Sequence, residues 1–224
     1  MTRPQSGSGP CETACLDDAN APASGGPASG TPPVFSLVIP FHNGPKCDRA
    51  DLMSELAGSL PARDDLEVIW VDDHSSWAWQ PPACPDPPRH RLVLNPPGRR
   101  FAGEARNTGL ETARGRWIMF ADSDDLFDSD ALDRVLDRVL SDGAGEPGDQ
   151  SRVEMWLFLS GSFDHDTGAP SSRHAYGRRI QMEACAAGDP ALLARWFQPG
   201  GRVIRRDFIE KHGLRFGPTR VAND

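Results

Sequence analysis

The sequence predicts an α/β fold whose mostly parallel central sheet is flanked by helices, and three observations predict it. Three short apolar runs, Phe35 to Pro40, Leu66 to Val71 and Trp117 to Phe120, lack alternation, the pattern of strands buried on both faces. Stretches with apolar residues at helical spacing fall between and after these runs, the alternating order of a parallel sheet. Two of the runs end in acids, Val71 into Asp72 and Asp73, and Phe120 into Asp122. Both sets fall at the carboxyl edge of the sheet, where open α/β sheets bind their ligands.

In chain order, Phe35 to Pro40 is the first strand, and Leu52, Met53, Leu56 and Leu60 mark a helix over Ala50 to Leu60. Leu66 to Val71 is the second strand. From Trp77 to Pro97, prolines 81, 82, 85, 87 and 88 forbid a regular helix, and Arg91 to Leu94 forms a short third strand. Gly103 to Ala113 reads as a helix stopped by Gly115, ahead of the fourth strand, Trp117 to Phe120. Ser129 to Leu140 is the clearest helix: Asp128 and Ser129 are its caps, Leu132, Val135, Leu136, Val139 and Leu140 its apolar stripe, and Gly143 its stop. Val153 to Leu159 is a further strand. Asp164 to Gly168 reads as a turn, with Arg173 to Gln181 expected to pair back across it. Pro190 to Phe197 and Arg206 to His212 are expected as short helices, the second closed by Gly213.

Composition bounds the rest. The first 33 of 224 residues are rich in Gly, Pro, Ala and Ser and read as a disordered tail without the basic start and apolar core of a signal peptide. Residues 34–145 are expected to form one α/β half and 146–224 a second half. No apolar run approaches the ~20 residues of a membrane span, so the expectation is a protein of the cytoplasm, either free or attached at the inner face of the membrane. A net charge of −8 argues against nucleic acid as a partner. The five cysteines are scattered, and Cys11 and Cys15 have no second ligand pair to make a zinc site.

Trp117 to Asp125, reading WIMFADSDD, carries the most chemistry. A buried strand runs straight into Asp122, Asp124 and Asp125. Carboxylates packed that closely repel one another, and a hard divalent cation relieves the repulsion while bridging to phosphate oxygens. The run is not an EF-hand loop: counted from Asp122, its sixth position is Phe127 where Gly is needed and its twelfth is Asp133 where Glu is needed. Asp72 is expected to fix its own loop. His42 and His74 either touch substrate or pack their loops.

VIPFHN (38–43), VDDHS (71–75) and AGEARNTGLETARGRWIMFADSDDLF (102–127) resemble the family 2 glycosyltransferases with the GT-A fold. GGRVIRRDFIEKHGLRF (200–216) resembles that family's acceptor-side segment. The resemblance implies that residues 34–145 are a nucleotide-sugar-binding α/β half and 146–224 an acceptor-side half, expected to be incomplete. The resemblance implies that Pro40, Phe41 and Asn43 line the nucleotide-sugar pocket and that Asp73 accepts hydrogen bonds from the base. It implies that Arg106 lies beside the diphosphate. Asp122 and Asp124 would be the D-x-D pair: Asp124 holds Mg2+ or Mn2+, Asp122 the ribose or the metal with its water shell, and Asp125 supports the cluster or contacts the sugar. Asp224 matches the position of the catalytic base. Phe101 stands where many members have glycine, and the proline-rich stretch replaces a helix common between the second and third strands.

The expected function is therefore a metal-dependent, inverting glycosyltransferase. It would move a sugar from a nucleotide-diphosphate donor, a UDP-sugar first, to a saccharide or lipid-linked glycan acceptor. The alternative is a non-catalytic nucleotide-sugar-binding remnant of such an enzyme. A sugar nucleotidyltransferase ranks lower, because FHNGPK after the first strand holds one glycine where a glycine-rich phosphate loop is needed.

Overall fold

The structure is a computed structural model and describes residues 32–44, 50–82, 89–142, 153–164, 167–195 and 198–220. Six strands, β1 (Phe35–Phe41), β2 (Leu66–Asp72), β3 (Arg89–Leu94), β4 (Trp117–Phe120), β5 (Met155–Leu157) and β6 (Arg202–Arg205), form one sheet in the order β3-β2-β1-β4-β6-β5. The first four are parallel, and β6 lies antiparallel between β4 and β5. Both the sheet class and its four leading strands are as the sequence predicted, with β3 beginning two residues earlier.

The reason for those unbroken runs is visible in the packing. Phe35, Leu37, Ile39, Val68, Trp70 and Met119 face one side of the sheet, where α1 (Ala50–Gly58) and α3 (Ser129–Asp142) cover them through Met53, Leu56, Leu132, Leu136 and Val139. Val38, Ile69, Val71, Ile118 and Phe120 face the other, under Ala105 and Leu110 of α2 (Phe101–Thr112) and Ile209 of α5 (Arg206–Lys211). A strand covered on both faces has no solvent side on which to place polar residues. As expected, Asp128 caps α3, its carboxylate accepting the Ala131 N–H at 2.9 Å.

Two elements differ from expectation. Residues 173–181 do not pair back as a strand: α4 (Ala175–Ala187) forms there, and its buried Gly177, Ile180, Gln181 and Ala184 repeat at helical spacing. A smaller pairing does close around the turn, between Phe163 and Pro170. The second difference is β6, which the sequence reading missed. It is four residues long and half-buried at alternate positions, too short to stand out from its basic neighbours. The short helix expected from Pro190 forms as a 3-10 helix, Pro190–Arg195.

At the amino edge of the strands, away from the acidic ends, the buried carboxylate of Glu67 gathers its donors. It accepts the Ser36 hydroxyl at 2.7 Å, the Arg114 N–H at 2.7 Å, and the guanidinium groups of Arg114 and Arg91 at 3.0 and 3.1 Å. Burial pushes this carboxyl up, but Ser36 and Arg114 outweigh it and hold the group below its ordinary value. The chain passes here through Gly115, where an added Cβ would lie 2.7 Å from the backbone of Phe35 and Ser36.

Phe101, the first residue of α2, has φ of +74° and is 37 % exposed. That backbone region suits glycine and strains a bulky residue. Phe101→Gly is expected to stabilise the protein by about 1 kcal/mol, raising its thermal midpoint by roughly 2–4 °C. A lower midpoint would mean that the ring's packing outweighs the strain.

Candidate donor site at the carboxyl edge

The loops after β1, β2, β3 and β4 meet at one end of the sheet. Pro40 and Phe41 end β1 and are buried; the Phe41 ring packs edge-on to Trp79 at 5.6 Å, and Trp79 rests on Trp70 at 4.7 Å. Asn43 is buried, with its N–H donating to Ser75 Oγ at 2.7 Å and its carbonyl accepting the Ser76 N–H at 2.6 Å. These bonds stitch the loop after β1 to the loop after β2. Asp72 does fix its own loop, accepting the Ser75 N–H at 2.8 Å. The two histidines bond to loop carbonyls, His42 to Asp73 and His74 to Arg99.

Asp73 is held on three sides. Its N–H donates to the Phe41 carbonyl at 2.8 Å, and its carboxylate accepts Asn95 Nδ2 at 2.8 Å and the Phe101 N–H at 2.7 Å. The Thr108 hydroxyl, 2.7 Å from Asn95 Oδ1, fixes which end of that amide faces Asp73. Each carboxylate oxygen keeps lone-pair capacity for a further donor. The sequence reading missed Asn95, although a signal exists: it follows Leu94, which pairs with Asp72, so β3 delivers it to the same edge.

Across the edge, α2 lies close on the sheet because Gly109 has no side chain; a Cβ there would meet Val38 Cγ1 at 2.3 Å. This approach places Arg106, 1 % exposed, so that Nη2 donates to Asp122 Oδ1 at 2.6 Å, just beyond β4. Asp122 and Asp125 then close a turn on each other: Asp125 Oδ2 accepts the Asp122 N–H at 2.8 Å, and the Asp125 N–H donates to the Asp122 carbonyl at 3.1 Å. Asp124 sits exposed in this turn. Asp224 lies outside the described residues, as does the tail before residue 32.

Burial, followed by the charges of Asp122 and Asp124, pushes the Asp125 carboxyl up to about 6. The native value is above the unfolded one, so the stabilisation belongs to the protonated form and is lost as pH rises through about 6. Asp125→Asn is therefore expected to stabilise the nucleotide-free protein at pH 7.5 by about 2–3 kcal/mol, the gap closing by about pH 4. Denaturant melts at the two pH values check it; equal stability at pH 7.5 would mean that the carboxylate is well solvated.

Among the described residues, no three His, Cys, Asp or Glu side chains converge as a ready cation cage. Asp122 and Asp124 instead offer hard oxygen atoms in a turn whose negative charge already disturbs Asp125. That donor set suits a cation of the Mg2+ or Mn2+ type, which takes one or two carboxylates and completes its shell with phosphate and water. No helix among the described residues is long and apolar enough to cross a membrane.

Comparison with known proteins converges on one family. The model for glycosyl transferase family 2 matches residues 36–152. The succinoglycan biosynthesis protein ExoO of Rhizobium meliloti is 35 % identical over 209 residues, covering 88 % of this chain and 55 % of that protein. The minor teichoic acid biosynthesis protein GgaA of Bacillus subtilis is 30 % identical over 109 residues, 46 % of this chain and 24 % of its own. The chain thus spans about half the length of the first relative and less of the second. Among solved structures, the mannosyltransferase PcManGT from Pyrobaculum calidifontis, in complex with GDP-Man and Mn2+, matches with a TM-score of 0.53 at 19 % identity, over 88 % of this chain and 52 % of that one. Glucosyl-3-phosphoglycerate synthase from Mycobacterium tuberculosis, in complex with Mn2+, UDP and glucosyl-3-phosphoglycerate, matches with a TM-score of 0.50 at 19 % identity, over 85 % and 62 %. With its GT-A type sheet and the matched span from β1 through α3, the chain belongs to glycosyl transferase family 2.

Proposed function

We propose that the crevice binds a nucleotide-diphosphate sugar with a divalent cation, and that the protein transfers the sugar with inversion to a saccharide or lipid-linked glycan. The observation that carries this reading is the pairing of Arg106 with Asp122 beside the Asp122–Asp125 turn, at the same sheet edge as the Asp73–Asn95 pair. A diphosphate needs cationic groups, and a base needs a fixed acceptor at the other end of the donor. The family and the glycan-building names of its relatives favour the same chemistry.

In this reading, Asp73 accepts a hydrogen bond from the base, its carboxylate already aimed by Asn95 and the Phe101 N–H. Asp122 and Asp124 hold Mg2+ or Mn2+, which when bound offsets the charge gathering on the leaving diphosphate. Arg106 supplies a second positive charge from a buried position, where it is screened less than in water. Asp125 braces the turn through the Asp122 N–H. Asp224 is the proposed base, deprotonating the acceptor hydroxyl as it attacks.

The test is calorimetric titration with UDP and with GDP, each in Mn2+ and in chelator. Metal-dependent binding of one nucleotide is the expected result, and a uracil base is the first expectation. Binding of neither overturns the reading, whereas binding without turnover favours a non-catalytic sugar-nucleotide module.

A further inference from the structure

We propose that Asn107 is a positioning residue that holds the acceptor-side segment against the donor crevice, with Phe216 as its grip. The inference deepens the donor-site reading and rests on it. Asn107 follows Arg106 on α2, and neighbouring helix residues point about 100° apart. Arg106 therefore turns to Asp122, while Asn107, 6 % exposed, turns to the strand-free segment after α5. Its carboxamide accepts the Phe216 N–H at 2.9 Å and donates to the Phe216 carbonyl at 3.0 Å.

This two-way bond is what a neighbouring strand would make, here supplied by one side chain 109 residues away in sequence. Few residue types can do it. An ionised aspartate cannot donate, and a serine cannot span both backbone groups at once. The start of the segment is held separately, by the Leu214 N–H on the Ile209 carbonyl at 3.0 Å.

The Phe216 ring links this grip to the donor site. It packs edge-on to Phe120, the last residue of β4, at 4.9 Å, and the Arg106 guanidinium lies 5.3 Å from its centroid. One ring thus touches the end of the strand that delivers Asp122 and the cation that faces Asp122. Whatever moves Arg106 must be felt at Phe216, and the reverse. Eight residues beyond Phe216 the sequence reaches Asp224, the proposed base. Eight residues span at most about 27 Å, at ~3.4 Å per extended residue, so fixing Phe216 bounds where Asp224 can reach.

The test is hydrogen exchange across residues 213–220, read by mass spectrometry on the full chain, with and without UDP or GDP in Mn2+. In the free wild-type protein the Phe216 amide should be protected, and Asn107→Ala should speed its exchange about tenfold. Nucleotide binding should slow exchange in this segment of the wild type. In Asn107→Ala the nucleotide should still bind within about threefold of wild type, a difference below 1 kcal/mol, but without slowing the segment. Asn107→Asp, which keeps the acceptor and loses the donor, should recover part of the protection. Phe216→Leu keeps the backbone pair and loses the ring, so it should stay protected yet lose the response to nucleotide; it also serves if Asn107→Ala fails to fold. Unchanged Phe216 exchange in Asn107→Ala overturns the grip. A bound nucleotide that leaves wild-type exchange unchanged overturns the coupling alone. If calorimetry shows that neither nucleotide binds, the donor-site reading fails and the coupling falls with it.

Discussion

In Asp124→Ala, nucleotide binding in Mn2+ is expected to fall to the level measured in chelator, a loss of about a hundredfold or more, since even an indirect partner of a metal ligand costs ~10–100-fold. Asp124 is the informative position because it stands exposed in the turn, while Asp122 pairs with buried Arg106 and Asp125 braces the Asp122 N–H. Removing Asp122 would strip buried Arg106 of its carboxylate at 2.6 Å, and removing Asp125 would free the Asp122 N–H. Losses in those variants would mix binding with stability. Asp124→Ala should melt within about 0.5 kcal/mol of wild type, as exposed substitutions do. Nucleotide bound by this variant with unchanged metal dependence would remove Asp124 from the proposed cation site.

Glu67→Ala should be the most destabilising of the substitutions considered, by about 3 kcal/mol, or roughly 10 °C in thermal midpoint. The side chains of Arg91 and Arg114 are 36 % and 50 % exposed, and their guanidinium groups can turn to water. The Ser36 hydroxyl and the Arg114 N–H cannot follow them. Each would lose its acceptor in the interior, at about 1–3 kcal/mol apiece before partial relaxation. Below the new midpoint, nucleotide binding should be unchanged, because the Glu67 cluster lies at the edge of the sheet opposite the crevice. A loss under 1 kcal/mol, measured by denaturant melts, would mean that water reaches these groups.

The sequence made legible what full burial writes into it. β1, β2 and β4 are covered on both faces, and α3 carries a complete apolar stripe, so unbroken apolar runs and helical spacing found them. These signals failed where burial is partial: β6 alternates over four residues, and α4 shows solvent most of its surface. Acids at strand ends pointed to the proposed crevice. The partners that orient them did not stand out, because Asn95 and Asn107 are ordinary polar residues until the register of β3 and the path of the Phe216 segment place them. Phe101 was visible as a bulky residue in a place suited to glycine, and its φ of +74° gives that mismatch a physical form.

The antiparallel placement of β6 governs how the protein can be made. β4 is flanked on one side by β1, which is synthesised early, and on the other by Arg202–Arg205, which emerge some eighty residues after β4 itself. Until then the fully buried WIMF strand has an open row of backbone groups, the kind of edge that recruits other chains. β5 waits too, because its partner in the sheet is β6. A nascent chain therefore carries an unfinished sheet while the roughly eighty residues between β4 and β6 are made. Its yield in a cell depends on how quickly residues 202–205 arrive to close it.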